Sequence, residues 1–172
     1  MLIFRAAQPG DLDDIMRLIH EAQAFMRTLD IDQWQDGYPS REILFSDIEI
    51  GQAFVYADEE TGKVASIAIF SLLPEPIYDA LDGEWKTSGD YLTIHRMAID
   101  DGHRGSGIAG DMLKKAIEMA KNENLASVRA DTHRGNKAMR RFLEKSGFAY
   151  CGEVTYPVDA GDPIRVAYEL VL

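Results

Sequence analysis

The sequence has a single cysteine, Cys151, so no internal disulfide can form, and a reducing compartment, the cytoplasm, is expected. No apolar run approaches the roughly 18–20 residues of a membrane span, so no membrane partner is expected. The opening Met1 to Pro9 meets Arg5, then Asp11 and Asp13, too early for a secretory signal. Basic residues are few: 18 Lys and Arg face 29 Asp and Glu, a net charge of −11. Nucleic acid needs clustered basic side chains on its phosphates, so DNA and RNA are not expected as main partners, while cationic partners are mildly favoured. The histidines His20, His95, His103 and His133 and the cysteine show no HxxxH or CxxC spacing, and no metal is expected. The rest is ordinary for a globular chain. With 46% apolar and 27% charged residues over 172 positions, it fits one domain, residues 1–172.

Periodicity gives the coarse order of elements. Leu2–Ala6 reads as a strand broken by Pro9-Gly10, with Asp11 as N-cap of the following helix. That helix runs to about Arg27, because Leu12, Ile15, Met16, Ile19, Ala22, Phe25 and Met26 recur at helical spacing. Residues 30–39 lack a period and read as a loop rich in aromatic and amide side chains. A second helix is expected from Ser40, its N-cap, to Ile50, with Ile43, Leu44 and Ile48 inward. Strands follow at 53–57 and 63–72, a hairpin turning at Glu59–Gly62. The excursion 73–90 holds Pro74, Pro76, Gly83 and Gly89 and could be functional or a cover for the sheet edge. Next come a strand Tyr91–Ile99, a helix carrying Ala109, Leu113, Ala116, Ile117 and Ala120 on one face, and a strand 126–131. The chain closes with a turn 132–136, a helix 138–146 stopped by Gly147, and strands 148–156 and 164–171 joined through Asp159 to Pro163. This β-α-α-β-β-β-α-β-α-β-β order is an α/β pattern with a mixed sheet.

The most informative stretch is Arg104-Gly105-Ser106-Gly107-Ile108-Ala109, between a strand and a helix. Glycines remove the Cβ atoms that would hold a ligand off the backbone. The first N–H groups of a helix lack partners and carry partial positive charge, so they suit a diphosphate, with Arg104 as an added cation. A plain glycine turn before a helix is the competing reading. Gly105 to Gly110 also satisfies GxGxxG, and Asp131 lies near the place of a ribose-binding acid, as in a Rossmann-type NAD-binding oxidoreductase. Three features speak against that fold. Residues 100–104 separate the strand from the first glycine, too few residues remain after Gly110, and the chain ends in an antiparallel pair.

The same hexapeptide resembles the [Q/R]xxGx[G/A] signature of the GNAT superfamily of acetyl-coenzyme A-dependent N-acetyltransferases, with Arg104, Gly107 and Ala109 in the signature positions. Asn136-Lys-Ala-Met139-Arg-Arg-Phe142-Leu-Glu-Lys-Ser-Gly147-Phe148 is similar to that family's NxxAxxLYxxxGF segment, and the element order fits across the chain. The resemblance implies a mostly antiparallel sheet of about seven strands, helices on both faces, and a bulged strand splayed from its parallel neighbour. It also implies acetyl-CoA as donor, with the pantetheine arm beside Met97, Ala98 and Ile99 and the diphosphate on Arg104, Gly105, Ser106, Gly107, Ile108 and Ala109. Asn136 would bond the pantetheine, and Phe142 would lie along it, with plain core packing the competing reading for Phe142 and Met139.

The implied reaction is direct attack of an amine on the thioester in a ternary complex. An alkylammonium of pKa about 10.4 needs a base at neutral pH. His95, on the splayed strand with Thr93 and Met97 on its face if the strand alternates, is the candidate; a satisfied structural histidine is the alternative. Met97 or Ala98 N–H would meet the oxyanion. The family tyrosine that protonates the leaving thiolate is Leu143 here, so Tyr150, nearest in sequence, or solvent would serve. Cys151 reads as a packing residue. Trp34, Gln35 and Tyr38 would line the acceptor side, while Asp131, Thr132 and His133 read as a locally capped turn. The acceptor would be a small-molecule amine or a peptide. A non-catalytic acyl-CoA-binding module is the alternative that Leu143 keeps open, and a homodimer is also open.

Overall fold

The computed structural model describes residues 1–158 and 161–172, so Asp159 and Ala160 of the expected β7–β8 connection lie outside the described residues. The strands are β1 (Leu2–Ala6), β2 (Ala53–Asp58), β3 (Val64–Ser71), β4 (Asp82–Gly83), β5 (Tyr91–Ile99), β6 (Ser127–His133), β7 (Ala149–Thr155) and β8 (Ile164–Val171). The helices are α1 (Leu12–Thr28), α2 (Arg41–Glu49), α3 (Ile108–Asn122) and α4 (Lys137–Lys145). One sheet runs in the order β1-β2-β3-β5-β6-β8-β7-β4. Among the described residues only β5 and β6 pair in parallel. β4 is an addition to the seven strands read from the sequence. No described helix is long and apolar enough to cross a membrane.

Two apolar clusters lie on the two faces of the sheet. Leu12, Ile15, Leu18 and Ile19 of α1 and Leu44 and Ile48 of α2 pack on Val55, Ile67 and Ile69. Met112, Leu113 and Ala116 of α3 and Leu143 of α4 pack on Ala68, Phe70, Leu92, Ile94 and Val128. β3 is buried at every residue, as a strand with neighbours on both sides and helices on both faces must be. Ser40 caps α2 as expected, accepting from the Ile43 N–H at 3.3 Å. Asp11 stands at the N-cap position of α1 as expected, but its side chain makes no cap bond to that helix. Its carboxylate accepts from the Gln8 N–H at 2.7 Å and from both terminal nitrogens of Arg5, closing a single 3₁₀ turn one step earlier and tying β1 to α1.

The excursion between β3 and β5 is anchored. It makes a 3₁₀ turn over Pro76–Ala80 and then β4, where Gly83 lies so close to β7 that a Cβ would fall 2.1 Å from the Cys151 carbonyl oxygen. Glu169, 1% exposed, accepts from Ser127, Thr87 and Arg129 side chains and from the backbone of Lys86 and Thr87. The Arg129 guanidinium lies between the rings of Trp85, at 4.1 Å, and Tyr91, at 3.9 Å. These contacts hold the segment, and with it Glu75 and Tyr78, against the sheet.

Candidate active site

β5 and β6 pair only from Tyr91↔Ser127 to Ile94↔Ala130, and beyond that they part. β6 continues on β8 to His133, and β5 continues on β3 to Ile99. Past Ile94, the β6-facing backbone groups of β5 therefore have no strand partner. In the same region β5 carries a bulge: His95 faces Ile69 and Ala98 faces Ile67, so Arg96 and Met97 together oppose one residue. Arg96 has φ of +51°, the left-handed region that costs a non-glycine residue roughly 1 kcal/mol or more. The bulge breaks the expected alternation. Met97 packs with the α3–α4 cluster and not on the face of Thr93 and His95, while Ala98 joins the α1–α2 cluster.

A cavity of about 580 Å³ opens where the strands part. Met97, Ala98, Ile99, Arg104, Ala109, Asn136 and Phe142 line it, as do His95, Trp34 and Tyr38. Gly105, Ser106, Gly107 and Ile108 sit beside that wall, in the loop and first turn of α3. Gly107 caps α3 with φ of +92°, and among the described residues the N–H groups of Gly107, Ile108, Ala109 and Gly110 find no backbone acceptor. Arg104 is ion-paired to Asp101 at 2.6 Å, with its guanidinium 3.9 Å from the Phe25 ring centre. Asn136 caps α4 through Oδ1, at 3.1 Å from the Met139 nitrogen, which leaves its amide N–H₂ free for a ligand.

The other half of the cavity was only partly legible. His95 Nε2 lies 3.2 Å from Glu75 Oε2, a contact that holds the Glu75 carboxyl below its ordinary range against the opposing effect of burial. A neutral imidazole with its hydrogen on Nε2, toward that carboxylate, would leave Nδ1 as the acceptor. Arg96, not singled out from sequence, donates to the Tyr38 hydroxyl at 2.8 Å and to Asp47 at 2.9 Å. Asp47 is buried on the inward face of α2, and burial raises its carboxyl while Arg96 opposes the rise. An aspartate at a helix position of apolar period was the available signal for this pair.

Three expectations are corrected. Tyr150 does not line the cavity. It lies half-exposed on β7 with its ring edge-on to Tyr168, whose hydroxyl is engaged by α4. Gln35 does not line it either, because its amide donates to the Gln23 and Gln33 carbonyls and accepts from Arg27, fastening its loop to α1. Asp131, Thr132 and His133 are not a turn: they continue β6. Asp131 accepts from the hydroxyls of Tyr78 at 2.7 Å and Tyr156 at 3.0 Å, and His133 Nε2 lies 2.8 Å from Asp32. Burial first, and then the nearby Asp131 charge, push both phenols upward, so they remain donors. Cys151 is buried, and burial pushes its thiol upward too.

The sequence matches the Acetyltransferase (GNAT) family over residues 15–148. The chain belongs to the GNAT acetyltransferase family. A GNAT acetyltransferase from Streptococcus agalactiae 2603 is 36% identical, with 99% of this chain and 95% of that one covered at a TM-score of 0.85. The ribosomal-protein-S18-alanine N-acetyltransferase of Escherichia coli shares 17% identity over 99% and 94% of the two chains, TM-score 0.70. A chain of the NatC complex bound to Gag peptide and CoA shares 14% over 99% and 98%, TM-score 0.71. At those identities the likeness is one of fold. No curated protein matches the sequence. A GNAT sheet with one parallel pair is not the doubly wound parallel sheet of a dinucleotide fold, so the GxGxxG match at Gly105 marks no NAD site.

Proposed function

We propose that this GNAT acetyltransferase transfers the acetyl group of acetyl-CoA to a primary amine held on the Trp34 and Tyr38 side of the cavity. The observation that carries the reading is one cavity running from Arg104 and Ala109, beside the unpartnered N–H groups of α3, along the splayed edge of β5, to His95. Those groups fit the donor: phosphate oxygens are acceptors for first-turn N–H groups, and the Gly107 side lies open, with no atom within 4 Å of a Cβ built there. Bound acetyl-CoA would supply an activated thioester. His95 Nδ1 takes the proton of the attacking amine as its nitrogen bonds to the acetyl carbon and the carbon–sulfur bond breaks. Glu75 positions the imidazole and balances its transient charge. The Met97 or Ala98 N–H receives the developing oxyanion. Leu143 offers no proton. The thiolate is a tolerable leaving group unaided, since a thiol's ordinary pKa is about 8.5. A lone, buried Cys151 suits a reducing cytoplasm.

His95→Gln is expected to lower kcat by about 10²- to 10⁴-fold and to remove the acidic limb of the pH–rate profile, with acetyl-CoA affinity retained. Glu75→Gln is expected to lower kcat less and to shift that limb. Thiol release against a panel of amines reads both, and an unchanged profile in both variants would return His95 to a structural role. Saturable acetyl-CoA binding with no turnover on any amine would favour the alternative, a binding module.

A further inference from the structure

Asp131 has a role that neither the phosphate loop nor the His95–Glu75 pair explains. It is half-buried on the cavity wall, and both of its tyrosine donors bind Oδ2, so Oδ1 accepts no hydrogen bond among the described residues. No described Lys, Arg or His lies within ion-pair distance of it. A carboxylate can accept at both oxygens, and the cavity's own cations are engaged elsewhere. Arg96 serves Asp47 and Tyr38, Arg104 serves Asp101, and Arg165 donates to the Asp162 and Ile164 carbonyls. No lysine is among the residues lining the cavity. A cationic ligand would supply a charge that no described side chain brings to Asp131.

The position of Asp131 says which part of a ligand. His95 and Asp131 are the first residues of the two parting arms, directly after the Ile94↔Ala130 pair and on one face, so they stand across the mouth of the splay from each other. A carboxylate on the reacting nitrogen would hold it protonated and oppose attack. On a second nitrogen, a few carbons away, it anchors the acceptor and leaves the first nitrogen to His95. Trp34 lines the same cavity and adds aromatic surface, while the Tyr38 and Tyr156 rings already lie against Arg96 and Arg165.

We propose that Asp131, presented by Tyr78 and Tyr156, is the subsite for a second ammonium group. The acceptor class is then a short diamine or polyamine. This rests on the acetyltransferase reading. The test compares kcat/KM for α,ω-diamines of three to six carbons with that for the matching n-alkyl monoamines. The wild type is expected to favour the diamine about tenfold or more, the worth of one charged hydrogen bond, and Asp131→Asn to bring the ratio close to one. The asparagine keeps a carbonyl oxygen for both tyrosines. Tyr156→Phe, which removes one donor only, is expected to fall between. Calorimetric binding of 1,4-diaminobutane and 1-butylamine to the wild-type protein gives the same comparison without turnover. A wild-type preference near one in both measurements, or a preference that Asp131→Asn leaves intact, would overturn the subsite. Failure to bind acetyl-CoA would instead strike the acetyltransferase reading, because the calorimetric amine comparison stands apart from it.

Discussion

A Gly107→Val protein is expected to fold and yet lose coenzyme A binding by roughly a hundredfold or more, about 2.7 kcal/mol. Two facts separate the effects. At φ of +92° a β-branched residue is strained, which costs about 1–3 kcal/mol and lowers Tm by about 2–12 °C. The new side chain meets no protein atom within 4 Å of its Cβ, so the sheet has no cause to rearrange. What it does meet is the space in front of the α3 N–H groups, where a diphosphate must approach the backbone. Calorimetric titration with coenzyme A beside a thermal melt decides the matter. Undiminished affinity would remove the phosphate assignment from this loop.

The largest stability effect is expected at Arg129. Arg129→Met should cost about 3–5 kcal/mol, because it strands Glu169, buried to 1% exposure, without its cation. It also removes the donor to the Thr87 carbonyl at 2.9 Å and the group stacked between Trp85 and Tyr91, so residues 73–90 loosen together with Glu75 and Tyr78. Turnover should therefore fall too, although Arg129 touches no part of the cavity. Replacing Glu169 by Met in the same protein should restore part of the stability. Burial raises the Glu169 carboxyl, but bonds from Ser127, Thr87, Arg129 and the Lys86 backbone outweigh it and hold the carboxyl below its ordinary 4.5. Its contribution is thus full above pH 4.5 and is lost as pH falls through the lower folded value. Without Arg129 that loss should begin at higher pH. Urea unfolding across pH 3–7 measures both effects, and a change under about 1 kcal/mol at pH 7 would show the network to be incidental.

The readings that held were those whose physics is local. Helical period placed α1 and α3, Ser40 announced α2, and Arg104 to Ala109 marked a helix start with bare backbone. Those that failed turned on a neighbour distant in sequence. Asp11 holds the N-cap position of α1 but makes no cap bond to it, because Arg5 and the Gln8 N–H claim its carboxylate. Tyr150 was chosen for nearness along the chain, yet the sheet order puts β8 between β7 and the splayed pair, and the ring packs on Tyr168. Gln35 looked like a ligand-binding amide and is consumed by Gln23 and Gln33. Met97 changed face because one extra residue in a ladder reverses the order of sides, and no propensity marks where a bulge falls.

The sequence by itself determined the family, the order of strands and helices apart from β4, and the bare helix start that the proposal gives to the donor, since glycines, a helix start and an arginine act through their own backbone and nearest neighbours. Only the tertiary structure decided the acceptor half. Asp131 meets Tyr78 and Tyr156 from 53 and 25 residues away, and Arg96 meets Tyr38 and Asp47 from 58 and 49. Such pairs exist because the splay of β5 from β6 and the anchored excursion bring them to one wall, and no spacing along the chain records that meeting.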